Sequence, residues 1–280
     1  MQNFKVELSP PIDPEKSKNI TSINHPLRES PNQFTKFQKF FRKKKSNFYV
    51  APPAPSGKKT LVLDLDETLI HSSSFPPHQL IQYFTILDDS IQIDSENTNA
   101  DSTKSPQLIY IFLRPGLDEF LEYAKENFEV FVYTYAERNY AEPILDKILP
   151  DLDENHRLYR DSCITVSSPS SLTTYTSYYK LTAQDKNGIC KNKKGKYSGV
   201  IKDLLMLKRN MSDVIFVDDN NYQAIRANSE NTIVIPCWKG IPNDSALVSW
   251  LVPLLRNCLT ASDVRDVIKE VDCKCRRYTL

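Results

Sequence analysis

Glycine is scarce in this chain, with 6 residues in 280, against about 7% of residues in ordinary proteins. No Gly-x-Gly-x-x-Gly and no Walker-A run is present, so a phosphate cradle built from a glycine-rich loop is excluded. Cysteine is also sparse: positions 163, 190, 237, 258, 273 and 275, none in Cys-x-x-Cys spacing and none followed six positions later by arginine. Thiol-based phosphate-ester chemistry of the Cys-x5-Arg kind is therefore ruled out. Cys273-Lys274-Cys275 offers two sulfurs where a structural zinc site wants about four ligands. No run of about 18 apolar residues is found, so no transmembrane segment is expected. The first eight residues, Met1 to Leu8, are polar and lack the apolar core of a secretory signal. Free thiols in a reducing compartment, nuclear or cytoplasmic and not secreted, are the expectation.

A large charge excess is missing too, but the balance hides a split. The net charge is +1, from 36 basic and 35 acidic residues. Residues 1–60 hold 12 basic and 4 acidic side chains, leaving 24 basic and 31 acidic for the remainder. A mildly acidic body argues against direct nucleic-acid binding. Residues 1–57 read as a disordered basic, proline-rich tail with few aliphatic side chains, unable to close a core. Within it, Phe34, Phe37, Phe40 and Phe41 interleave with Lys36, Lys39 and Arg42 to Lys45. That spacing predicts a short basic amphipathic helix suited to peripheral membrane contact, a partner groove or an import receptor. A solvated tail with aromatics packed on the main domain is the alternative. Pro52, Pro53 and Pro55 then form a stiff linker.

From residue 58 to 271 strands and helices alternate, and 272–280 is a short tail. Thr60–Leu65, Leu108–Leu113, Phe128–Tyr133, Val214–Val217 and Thr232–Ile235 are apolar runs of strand length. Helices are predicted after Pro115, through Ala141 and Ile144–Ile148, and over Ser245–Leu255 and Ser262–Val271. The pattern predicts an α/β fold, a parallel sheet covered on both faces. Two insertions break it. One, 75–105, contains Tyr83–Leu87 and Ser90–Ile93, suited to a small hairpin. The other, 166–199, contains three of the six glycines and a lysine-rich loop. Loops of this length inside a domain are functional or disordered.

The chemistry concentrates at strand ends. In Leu61-Val62-Leu63-Asp64-Leu65-Asp66-Glu67-Thr68-Leu69, alternation puts Asp64 and Asp66 on one side where the strand runs out. One carboxylate can attack an electrophile while the other moves a proton, if their pKa values are pushed apart. The pair would also attract a divalent cation. Read alone, the same residues fit a strand ending in a polar turn. Thr134 follows the Phe128–Tyr133 strand, and Asp218-Asp219 follows Val214–Val217, 16 residues after Lys202. Individually these read equally well as a β-branched strand residue, a surface lysine and a turn or helix cap.

Asp64-x-Asp66-x-Thr68 after an apolar strand resembles the first motif of the haloacid dehalogenase superfamily. With Glu67, Leu69 and His71-Ser72-Ser73 it looks like one branch, the small phosphatases of the RNA polymerase II carboxy-terminal repeats, also called the NLI-interacting-factor family. Leu113-Arg114-Pro115-Gly116, Tyr140-Ala141-Glu142-Pro143, Leu158-Tyr159-Arg160-Asp161-Ser162-Cys163, Trp238 and Asp263-Val264-Arg265 are similar to further family segments. The resemblance implies a Rossmann-like fold with a small β insertion after the first strand. It implies a magnesium-dependent phosphoprotein serine/threonine phosphatase, with RNA polymerase II repeats as one substrate. Asp64 would be the nucleophile, Asp66 the acid and base, with Thr68, Thr134 and Lys202 about the phosphoryl group. Asp64, the Asp66 carbonyl, Asp218 and Asp219 would hold Mg2+. A lipid-metabolism regulator at a membrane, or a silent binding module, are the other functions this likeness allows.

The chain departs from the family in two places. Asp218-Asp219-Asn220-Asn221 stands where Asp-Asn-Ser-Pro is usual, which adds negative charge at the metal. The 166–199 segment is longer than expected, and Lys186, Lys191, Lys193, Lys194 and Lys196 make it a basic flap for an acidic or multiply phosphorylated partner, or a plain surface insertion. Oligomeric state is not legible from the sequence.

Overall fold

A computed structural model describes residues 49–55, 57–88, 107–166, 190–191, 197–219 and 229–275, all within the unit Lys45–Leu280. Its centre is a five-stranded, all-parallel sheet. The strands are β1 (Lys59–Leu63), β5 (Phe128–Tyr133), β6 (Arg157–Leu158), β10 (Val214–Asp218) and β11 (Thr232–Val234), in the order β11-β10-β1-β5-β6. The register pairs Leu61 with Ile215 on one side and Val130 on the other. β1 is thus the middle strand, which explains why Leu61, Val62 and Leu63 are apolar without alternation.

Period-two alternation sorts the side chains onto two faces. Leu61, Leu63, Val130, Val132, Ile215 and Val217 share one buried cluster with helices α1 (Leu117–Asn127), α2 (Arg138–Ile148), α3 (Val252–Thr260) and α4 (Val264–Cys275). Val62, Phe131, Tyr133, Val214 and Phe216 turn the other way onto Leu204, Met206 and Leu207 of a short 3₁₀ turn. Each fully buried aliphatic or aromatic side chain contributes about 1.5–3 kcal/mol. Phe131→Ala, which leaves a cavity in the second face, would cost about 3–5 kcal/mol.

Leu117, Phe120, Leu121 and Ala124 form the buried stripe of α1, spaced as the sequence predicts. The helix begins two residues after Pro115, because Gly116 takes a left-handed turn at φ 77. A side chain there would also strike Val248, whose Cγ2 lies 2.5 Å from the position of a Cβ. The helix expected over Ser245–Leu255 is a π-helical stretch, Ala246–Leu251, leading into α3. Pro253 lies at the change, where a residue without an N–H suits a new helix start. α4 runs on through Cys275, beyond the expected end of the domain at 271.

Leu108–Leu113 departs from the expectation of a buried parallel strand. β4 (Gln107–Leu113) is the centre of a separate antiparallel sheet, β2-β4-β3, with β2 (Ile70–Ser73) and β3 (Tyr83–Asp88). Ile109 and Ile111 face the core, while on the opposite face Phe112 is buried and Leu108 exposed, so a continuous apolar run conceals a strand covered unequally on its two faces. Tyr83–Leu87 pairs with β4 across the insertion, and its suggested partner Ser90–Ile93 lies outside the described residues. A third sheet joins β7 (Ile164–Val166), β9 (Tyr197–Ile201) and β8 (Cys190–Lys191).

Tyr49, inside the stretch read as a tail, packs on the second face, and its hydroxyl donates to the Asn155 carbonyl at 2.9 Å. Residues 1–48, with the Phe/Lys segment 34–45, lie outside the described residues, as do Lys186, Lys193, Lys194, Lys196, Asn220 and Asn221. Among the described residues no helix is long and apolar enough to cross a membrane.

Candidate active site

The site is built at the carboxyl ends of β1, β5 and β10, where parallel strands leave their side chains beside one another. Asp64 follows β1 and is tied to the neighbouring strand by its N–H, which donates to the Val217 carbonyl at 2.9 Å. Leu65 is fully buried in the core, so Asp64 and Asp66 on either side of it are turned together toward the site. The chain then reverses in a tight loop. The Leu69 and Ile70 N–H groups donate to the Leu65 carbonyl, and Glu67 N–H donates to the Ile70 carbonyl. Glu67 takes the left-handed conformation at φ 61 to make this turn, at a cost of about 1–2 kcal/mol for a residue with a Cβ.

Several long-range contacts hold that loop. The Arg114 guanidinium, with no exposed side-chain surface, donates to the Thr68 carbonyl at 3.0 Å and the Pro236 carbonyl at 2.9 Å. It also pairs in bidentate fashion with Asp244 at 2.8 and 3.0 Å. Trp238 N–H donates to the Glu67 carbonyl at 2.9 Å. His71 Nδ1 lies 2.9 Å from the Glu67 carboxylate.

Lys202 enters from the end of β9, immediately before Asp203, whose side chain caps the 3₁₀ turn by accepting from Leu205 N–H. Its buried ammonium bridges Asp64 Oδ1 at 2.6 Å and Asp218 Oδ2 at 2.7 Å. Thr68 donates toward Asp64 Oδ2 at 3.4 Å, while its oxygen accepts Asp219 N–H at 3.1 Å. Thr134 follows β5, buried, and its oxygen accepts Ala136 N–H at 2.9 Å. That leaves the hydroxyl its own proton to donate. Tyr140, on α2, donates to Asp66 Oδ1 at 2.7 Å.

Electrostatics follow from crowding. Burial pushes the Asp64 carboxyl up to about 7, Asp218 and Asp66 add to the rise, and Lys202 opposes it. Burial also raises Asp66, against the Tyr140 hydrogen bond, and raises Asp219, against a hydrogen bond from the Cys237 thiol. For Lys202 burial acts downward, but Asp64 and Asp218 outweigh it and hold the ammonium above its usual range.

Asp64, Asp218 and Asp219 each offer an oxygen within 4.8 Å of the others. The donor set is all oxygen and its negative charge exceeds what Lys202 neutralises, which fits a hard divalent cation such as magnesium. The Asp66 carboxylate is not part of that cluster; it points to Tyr140 instead. The structure thus brings Asp64, Thr68, Lys202, Asp218 and Asp219 into direct contact, with Asp66 and Thr134 on the same strand-end rim. Sequence reasoning assigned no role to Arg114 or Tyr140. Both lie in motifs quoted above, yet nothing local shows that they reach Thr68 and Asp66, 46 and 74 residues away.

The profile of the "NLI interacting factor-like phosphatase" family matches residues 59–265. A "Probable C-terminal domain small phosphatase" of Dictyostelium discoideum is 33% identical over 218 residues, 78% of this chain and 56% of that protein. "Phosphatase PSR1" of Saccharomyces cerevisiae is 31% identical, over 77% of this chain and 40% of that protein. A "CTD nuclear envelope phosphatase 1 homolog" of Drosophila melanogaster is 31% identical, over 75% of this chain and 72% of that protein. The chain therefore spans about half the length of the first two curated relatives.

Proposed function

The chain belongs to the NLI interacting factor-like phosphatase family, and on that premise we propose that it hydrolyses phosphoserine and phosphothreonine in proteins through an aspartyl-phosphate on Asp64. The observation that carries this is the buried Asp64–Lys202–Asp218 bridge, with Asp66 two residues beyond the nucleophile and held by Tyr140. A module that only bound phosphoproteins would have no use for a carboxylate pair held in this way.

In the first step an Asp64 oxygen attacks phosphorus in line as the bond to the seryl or threonyl oxygen breaks. Asp66, whose carboxyl burial shifts toward the protonated form, gives its proton to that leaving oxygen. In the second step Asp66 takes a proton from water, whose oxygen attacks phosphorus and frees the Asp64 carboxylate and inorganic phosphate. Lys202 and the Thr134 hydroxyl stabilise the charge on the phosphoryl oxygens, and Thr68 holds Asp64 in orientation. Such positioning and electrostatics supply most of the catalysis in phosphoryl transfer. Asp64, Asp218, Asp219 and the Asp66 carbonyl would hold magnesium, which when bound neutralises the phosphate and keeps Asp64 ionised.

The proposed substrates are phosphoproteins, the carboxy-terminal repeats of RNA polymerase II among them, in the nucleus or cytoplasm. The proposed domain is 58–271, with 1–57 and the 166–199 loop as accessory segments. Hydrolysis of para-nitrophenyl phosphate with and without magnesium tests the class of activity. Asp64→Asn should release no phosphate in magnesium, and turnover by that variant equal to the wild type would remove the nucleophile assignment.

A further inference from the structure

A general acid needs its proton on the oxygen that faces the leaving group. A carboxyl has two oxygens, so something must choose between them. Tyr140 lies in the first turn of α2, which is locked to the core by buried Ala141, Ile144 and Leu145. Its hydroxyl donates to Asp66 Oδ1 at 2.7 Å. An oxygen that accepts the phenolic hydrogen is the one less suited to carry a proton of its own.

We propose that Tyr140 is the positioning residue of Asp66, fixing its carboxyl so that the transferable proton is carried on Oδ2. This rests on the reading of Asp66 as acid and base. During phosphoryl transfer to Asp64, the Oδ2 proton passes to the leaving oxygen as its bond to phosphorus breaks. When water attacks the aspartyl-phosphate, its proton returns to Oδ2. The Tyr140 bond to Oδ1 persists through both steps. The phenol remains a donor throughout, because a tyrosine hydroxyl keeps its proton at neutral pH.

Two esters of similar shape and different leaving groups provide the test. Nitrophenolate departs readily without a proton, whereas phenolate from phenyl phosphate depends more on the acid. kcat/KM reports the first irreversible step, and general acid catalysis is worth about 10²–10⁴-fold. Tyr140→Phe keeps the ring and removes the donor. It should shift the ratio of kcat/KM for the two esters by about tenfold against phenyl phosphate. Asp66→Asn sets the ceiling. Loss on both esters alike in Tyr140→Phe is what a merely structural role gives, and it would overturn the proposal while leaving Asp64 as nucleophile. Turnover by Asp64→Asn equal to the wild type would instead overturn the underlying reading, and this proposal with it.

Discussion

Lys202 and Asp64 stand 138 residues apart in the chain, and the Lys202 ammonium donates to Asp64 Oδ1 at 2.6 Å. The same nitrogen meets Asp218 at 2.7 Å, so one cation links the ends of the two adjacent strands β1 and β10. Desolvating an ammonium and two carboxylates is costly, and their attraction only partly repays it. Such an arrangement makes sense where the charges act on a ligand, because a phosphoryl group arriving beside Asp64 meets an ammonium already in place.

Lys202→Met is accordingly expected to lower kcat on para-nitrophenyl phosphate by about 10²–10³-fold, the usual effect of losing one preorganised donor to a developing charge. The uncompensated carboxylates should also repel each other in the apo protein. Magnesium should therefore raise the melting temperature of the variant more than that of the wild type. Steady-state kinetics and a thermal melt check both parts.

Cation binding to the folded state alone should stabilise the wild type as well. At a magnesium concentration 100 times Kd the gain is about 2.7 kcal/mol, which for a domain of this size is a rise of about 5–10 °C in Tm. Asp218→Asn combined with Asp219→Asn should abolish most of the rise, because it removes two of the three clustered carboxylates. A full magnesium shift in the double variant would place the cation elsewhere.

A second buried charge cluster lies away from the strand ends that carry the site. Glu129 on β5 accepts from Arg209 at 2.7 Å through Nε and from Thr60 at 2.9 Å. Burial acts to raise its pKa, but those hydrogen bonds and the Arg209 charge outweigh it and hold it below the ordinary 4.5. A depressed carboxyl contributes stability that is fully present above its unfolded value and is lost as pH falls through its lower folded value. Denaturation curves should thus show stability declining below pH 4.5 partly on this account. Glu129→Gln should be destabilised by about 3 kcal/mol at neutral pH and decline less on acidification than the wild type.

Much of this was legible in the chain. Asp64, Asp66 and Asp218 are legible as strand-end carboxylates because the apolar runs before Asp64 and Asp218 mark parallel strands, whose ends fall on one edge, whereas Lys202 is singled out only by the family resemblance. The sequence pattern misread Leu108–Leu113, since an apolar run does not say whether a strand is covered on one face or two. It also gave no warning of the π-helical turn at Ala246–Leu251, a choice made by packing and by Pro253. Tyr140 and Arg114 stayed hidden for another reason. Their partners are a carboxylate and a backbone carbonyl brought near only by the completed fold, and neither leaves a local periodicity to read.

Arg114 joins the loop that follows Asp64 to the chain beyond β11. It bonds the Thr68 and Pro236 carbonyls and Asp244 together, a set that needs the planar fork of a guanidinium. Arg114→Met would leave two carbonyls and a carboxylate without their donor, and the expected cost is about 3–5 kcal/mol. Arg114→Lys should recover only part of this, because a single ammonium cannot span all three acceptors. Asp244→Asn, which keeps an acceptor for the guanidinium, should lose less stability than Arg114→Met. The loop geometry that aims Asp64 depends on the same bonds. At a temperature where Arg114→Lys remains folded, its kcat should therefore fall while its KM for para-nitrophenyl phosphate changes less. Wild-type kcat and Tm in Arg114→Lys would show that Trp238 and the β1 contacts hold the loop without the clamp.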